Sequence, residues 1–78
     1  MPTVLRRGPY RAYFFSHEPN EPPHIHVDRA GCSAKFWIGP VALAGNRGFH
    51  PHELTRIRRM LEDHETEIRE AWDEHFRT

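Results

Sequence analysis

From Pro51 onward the chain carries an apolar stripe at helical spacing, and that stripe limits what the remainder can be. Leu54, Ile57, Leu61, His64, Ile68, Ala71 and His75 recur three or four residues apart, and Trp72 and Phe76 widen the band. Residues so spaced share one face of a helix, which predicts a single amphipathic helix over residues 51–76. Pro51 at the first helical position and Glu53 at the third suit its start, although His50 is an unusual cap. A helix with one apolar face is stable only against a second layer that offers an apolar face of its own.

The first half of the chain supplies that layer in a different period. Tyr10 to Ser16 is aromatic-rich and reads as a strand. His17-Glu18-Pro19-Asn20-Glu21-Pro22-Pro23 cannot continue it, because each proline removes a donor and biases its predecessor toward extended geometry. His24-Ile25-His26-Val27-Asp28 alternates polar and apolar, the period of a half-buried strand. After a turn at Arg29–Cys32, residues 33–38 alternate again, with Ala34, Phe36 and Ile38 on one face and Ser33, Lys35 and Trp37 on the other. Gly39-Pro40 breaks the chain, Val41–Leu43 adds a short fourth strand, and Gly45–Gly48 turns toward the helix. Residues 1–9 read as a leader punctuated by Gly8-Pro9. The expectation is one α+β domain over residues 1–78: a small antiparallel sheet of three to four strands within 10–48, followed by one long C-terminal helix.

With 78 residues there is room for one core only. A core this small leaves a thin stability margin, and domains of this size usually add a disulfide, a metal or a partner. Cys32 is the sole cysteine, so an internal disulfide is excluded and a reducing compartment is expected. No apolar run approaches the roughly 20 residues that cross a bilayer, and Met1–Arg7 lacks the order of a secretory signal, so the expected location is cytoplasmic. The net charge is zero but unevenly spread: residues 1–60 hold nine Lys/Arg against four Asp/Glu, and residues 61–78 hold two against seven. The basic part could attract an anionic partner and the acidic helix end a basic one. No GxGxxG, Walker or HExxH motif is present, and Cys32 has no base adjacent in sequence.

The histidines carry most of the chemistry. His24 and His26, two apart on a strand, project from the same face with Cα atoms about 6–7 Å apart, while Ile25 and Val27 take the core face. Two imidazoles so placed could share a Zn²⁺, which needs at least a third protein ligand. His17 is nearest in sequence and His64 lies in the helix stripe, so the candidate metal set is His24, His26, His17 and His64. His50 and His52 flank the helix start, and His75 lies near the chain end. A His-x-His pair facing solvent also occurs as ordinary polar surface, and a histidine in an apolar stripe is more often hydrogen-bonded core than ligand. If the helix covers the Ile25/Val27 face, His64 cannot readily reach the pair within one chain. Strand one carries aromatics on both faces, Tyr10 and Phe14 against Tyr13 and Phe15, which calls for a second cover by self-association or a partner. Arginines interleaved with those rings would also suit RNA stacking.

The run Tyr13-Phe14-Phe15, then His17 and Pro22-Pro23-His24-Ile25-His26-Val27, resembles the signature of a small bacterial family, domain of unknown function 4160. An Ala34-Lys35-Phe36 strand and a helix bearing His64, Glu67 and Trp72 continue the likeness over residues 10–76. The resemblance implies a small protein partner from a second family, domain of unknown function 2442, in a toxin–antitoxin-like pair. It brings His24, His26, His64 and Trp72 forward as leading functional positions. Three readings follow: a component of such a pair, acting through protein contact at a histidine-centred site; a Zn-like metal module on His24 and His26; and a small ribonuclease with His24, His26 or His64 as acid or base. The expected partners are a small protein or a second copy of the chain, with nucleic acid as a further candidate and no membrane.

Overall fold

In the computed structural model, which describes residues 3–15 and 20–76, the alternating first half forms a five-stranded antiparallel sheet in sequential order. Its strands are β1 (Thr3–Arg7), β2 (Tyr10–Tyr13), β3 (His24–Arg29), β4 (Cys32–Trp37) and β5 (Ala42–Arg47). Two helices follow, α1 (Pro51–Asp63) and α2 (Glu65–His75).

The sheet is larger than its expected three to four strands because the supposed leader is an edge strand. β1 pairs with β2 through Arg7↔Tyr10, so Gly8-Pro9 is the two-residue turn of a hairpin. Such a turn needs a positive φ at its first position, which Gly8 supplies at 55°. Val4 and Leu5 then pack against the core. The β3–β4 hairpin turns on Ala30 and Gly31, both at positive φ (47° and 84°), the geometry that matches strand twist. At the far edge, β5 runs on through Gly45-Asn46-Arg47, where a turn was expected. The β4–β5 register jumps from Lys35↔Gly45 to Phe36↔Leu43, leaving Ala44 as the extra residue of a bulge.

The single long helix is in fact two. His64 leaves helical geometry (φ −119°, ψ 18°), and its backbone N–H bonds the Leu61 carbonyl, three residues back. The Met60 carbonyl, which that N–H would satisfy in an unbroken helix, accepts instead from His64 Nδ1 at 2.9 Å. The imidazole thus takes over a backbone bond and stabilises the break. Because the three- and four-residue spacing runs through the break unaltered, Ile57, Leu61, Ile68 and Trp72 still share one buried face.

That face lies on the side of the sheet occupied by Ala12, Phe14, Ile25, Val27, Ala34 and Phe36. Ile25, Val27, Ile57 and Leu61 are each 0 % exposed, and each such side chain contributes about 1.5–3 kcal/mol of hydrophobic stabilisation. One buried polar clamp joins the layers. Glu53, in the first turn of α1, accepts hydrogen bonds from Tyr10 Oη at 2.9 Å and from Arg29 Nη2 at 2.9 Å, with Arg29 Nε closing the fork. The N-cap residue His50 makes no side-chain cap for α1, and the Glu53 carboxylate fixes the helix start against β2 and β3 instead. Among the described residues no helix is long and apolar enough to cross a membrane.

Candidate functional site

Because side chains alternate along each strand, everything that does not face the helices faces the other way, and register places it in rows. One row runs Arg6, Arg11, Asp28, Ser33, Arg47 across all five strands. The next runs Thr3, Tyr13, His26, Lys35, Gly45. A third pairs His24 with Trp37. This second face mixes charge with rings where the first is uniformly apolar, and among the described residues the helices reach it only at its end, where Trp72 meets His24.

Rings fill its centre. Tyr13 and His26 stack with centroids 5.6 Å apart and 25° between their planes. Phe15 meets His26 edge-on at 4.3 Å and Tyr13 at 5.5 Å, and is 37 % exposed. Around them a concavity of about 360 Å³ opens, with Lys35, Asn46 and Arg47 on its opposite wall. The cations are held in place by ring faces: Arg11 sits 4.5 Å from the Tyr13 centroid and Lys35 Nζ 4.7 Å from that of Trp37. Asp28 is engaged by the Tyr13 hydroxyl, which donates to both carboxylate oxygens at 3.1 and 3.0 Å. Burial, then this bond, raises the Tyr13 pKa above the ordinary phenol value, so the hydroxyl stays protonated and the bond persists through neutral pH. Lys35 also forms an ion pair with Glu21 at the rim.

His24 and His26 leave the sheet together as their spacing requires, with ring centroids 5.2 Å apart, but their surroundings differ. His26 is half-buried among the rings of the open face. His24, the first residue of β3, is 1 % exposed at the end of the sheet, where Trp72 from α2 closes on it at 5.0 Å. Its Nδ1 lies 2.9 Å from the Pro22 carbonyl, which can only accept, so that nitrogen carries the proton. Trp72 in turn packs edge-on against Phe14 at 5.3 Å and against Phe76 at 4.1 Å.

Of the positions singled out from sequence, His24, His26 and Trp72 therefore come together. His64 does not join them: Arg7 Nη2 donates to its Nε2 at 2.8 Å, tying β1 to the break between the helices. His17 lies outside the described residues. His50 and His52 stack on each other, 5.9 Å apart, at the start of α1. Among the described residues no three His, Cys, Asp or Glu side chains converge as a metal centre would require. Lys35, Trp37 and Arg47 were not read as site residues from the sequence. The alternation of residues 33–38 did put Lys35 and Trp37 on the non-core face, but Arg47 was hidden in an expected turn.

No curated protein and no solved structure matches the chain. A family model does, and its match runs over residues 10–73, which takes in β2 to β5, α1 and α2 as far as Asp73, with His24, His26, Lys35 and Trp72 among the matched residues. The chain thus belongs to the family described as domain of unknown function (DUF4160).

Proposed function

We propose that this chain is a binding component of a toxin–antitoxin-like pair, and that it acts by contact through the open, histidine-centred face of its sheet. The observation that supports this reading is the inequality of the two sheet faces. One is sealed by α1 and α2 over an apolar core of aliphatic and aromatic side chains. The other presents Phe15, His26, Lys35 and Arg47, over a buried Tyr13, around a concavity that no described residue fills. Large rings left at a surface and rimmed by charge are characteristic of recognition sites. Trp72 and His24 support the face from behind, by closing the end of the sheet. The test is capture, by the purified chain, of the product of the neighbouring gene, the small domain of unknown function 2442 protein that the resemblance implies is encoded beside it. Phe15→Ala and Lys35→Glu should reduce capture at least tenfold while the fold is retained. Equal capture by wild type and both variants would remove the face from the account.

A second reading, a metal module, draws support from one bond. A ligating histidine commonly donates its other ring N–H to a backbone carbonyl, as His24 Nδ1 does to Pro22 O. The same bond serves a buried structural histidine equally well, and the 1 % exposure of His24 favours that role. Metal analysis of protein purified without a histidine tag separates the two. Stoichiometric metal that disappears in His26→Ala would establish the module, and metal-free, fully folded protein would end it.

A further inference from the structure

The open face also carries information about the chemistry of what it binds. Among the described residues four cations stand on it: Arg6 and Arg11 on the first two strands, Lys35 near the middle and Arg47 on the last. Two carboxylates, again among the described residues, offset them. Asp28 is held by Tyr13, and Glu21 sits at the rim beside Lys35. The row from Arg11 on β2 to Arg47 on β5 spans three strand spacings, or about 14 Å, with the Tyr13, His26 and Phe15 rings in the neighbouring row. Positive charge therefore flanks an aromatic centre on both sides.

We propose that the occupant of this face is single-stranded nucleic acid, its phosphates held by Arg11, Lys35 and Arg47 and its bases stacked against Phe15 and His26. This rests on the reading of the open face as the working surface. The protein partner proposed above would compete with the nucleic-acid strand for this face, but a protein surface alone leaves part of its chemistry unused. It would meet a face in which charged side chains are intimately mixed with rings, whereas the centre of a protein interface is depleted of charge. A small inorganic anion would use the cations and leave the rings idle. A nucleic-acid strand uses both, because every base has a π-face and every nucleotide a phosphate. A duplex cannot, since its bases are stacked on one another and unavailable to Phe15.

Fluorescence anisotropy with labelled mixed-sequence oligonucleotides of about twelve nucleotides, within the usual range of such sites, tests the proposal. The arms are single-stranded RNA, single-stranded DNA and the corresponding duplexes. The expected result is binding of one or both single strands in preference to duplex. Phe15→Ala should weaken it roughly tenfold through loss of stacking. Arg47→Ala should lower the slope of log affinity against log salt by about one phosphate contact. Arg58→Ala, on the exposed surface of α1, should leave binding unchanged. A preference for RNA over DNA would add recognition of the 2′-hydroxyl; equal binding would assign the affinity to stacking and phosphate alone. Absence of binding, equal binding of duplex, or indifference to Phe15→Ala in a protein that melts like wild type would overturn the proposal. If nucleic acid fails to bind while capture of the neighbouring gene's product still depends on Phe15 and Lys35, the occupant is a protein and the face reading survives. If neither ligand responds to these variants, both readings fall together.

Discussion

The two faces of one sheet are built from alternate residues of the same strands, yet they do opposite work. On β3, Ile25 and Val27 point into the helices and His26 and Asp28 point away; on β4, Ala34 and Phe36 oppose Ser33, Lys35 and Trp37. The inward set is apolar and buried, so its contribution is to stability. The outward set is charged and ringed and only partly buried, so removing a member costs less burial than on the inward side. A chain of this size has few residues with which to do both, and strand alternation lets each six-residue strand serve two purposes at once. Substitutions should therefore separate cleanly by face.

The largest effect is expected on the sealed side. Phe36→Ala removes a fully enclosed ring and should cost about 3–5 kcal/mol, enough to leave much of so small a domain unfolded at ambient temperature. Denaturant unfolding followed by circular dichroism reads this directly, and a loss under about 1 kcal/mol would mean that the helices do not seal this face as described.

Next comes the clamp between the layers. The Arg29 guanidinium, with the Tyr10 hydroxyl, holds the Glu53 carboxyl below the ordinary glutamate value against the opposing effect of burial. A carboxyl lowered on folding contributes stability that is full above its unfolded pKa of about 4.5 and drains away as pH falls toward the folded value. Wild type should thus lose stability between about pH 5 and pH 3 more steeply than Glu53→Gln, which should already melt lower at pH 7. Parallel pH profiles for the two proteins would show that the clamp is not formed.

Smaller still is the stability effect on the open face. Phe15→Ala should change unfolding free energy by no more than about 1 kcal/mol, because the ring is already 37 % exposed, while the tenfold binding loss described above corresponds to about 1.4 kcal/mol. A large stability loss with binding intact would invert the assignment of the faces. The smallest expected effect has the opposite sign. Ala30 sits at φ 47°, which costs a residue with a Cβ on the order of 1 kcal/mol, and Ala30→Asn should recover about half of it without altering either face. Unchanged or lower melting temperature in that variant would show that the turn is not strained.

How much of this the sequence foretold depended on whether the relevant physics was local. That His24 and His26 share a side, opposite Ile25 and Val27, follows from a period of two, and the structure has it so. The helical stripe likewise placed Ile57, Leu61, Ile68 and Trp72 on one face. The break at His64 was invisible, because a single residue out of helical geometry does not disturb a pattern of threes and fours. β1 was missed because Thr3–Arg7 has no alternation of its own and is made a strand by β2 beside it. The meeting of Trp72 with His24 and the inward turn of Glu53 depend on how helices seat against strand ends, which no local pattern encodes. The family signature, centred on Pro-Pro-His-Ile-His, marked the histidine pair but left Lys35, Trp37 and Arg47 to be found by register.

The most direct test of the division between the faces is an amide chemical-shift map of labelled protein titrated with a short single-stranded oligonucleotide or with the neighbouring gene's product. The expected shifts cluster at Tyr13, Phe15, His26, Ser33, Lys35 and Arg47, with the exposed surfaces of α1 and α2 unmoved. Shifts concentrated on the outer helix surface, with that cluster silent, would contradict it.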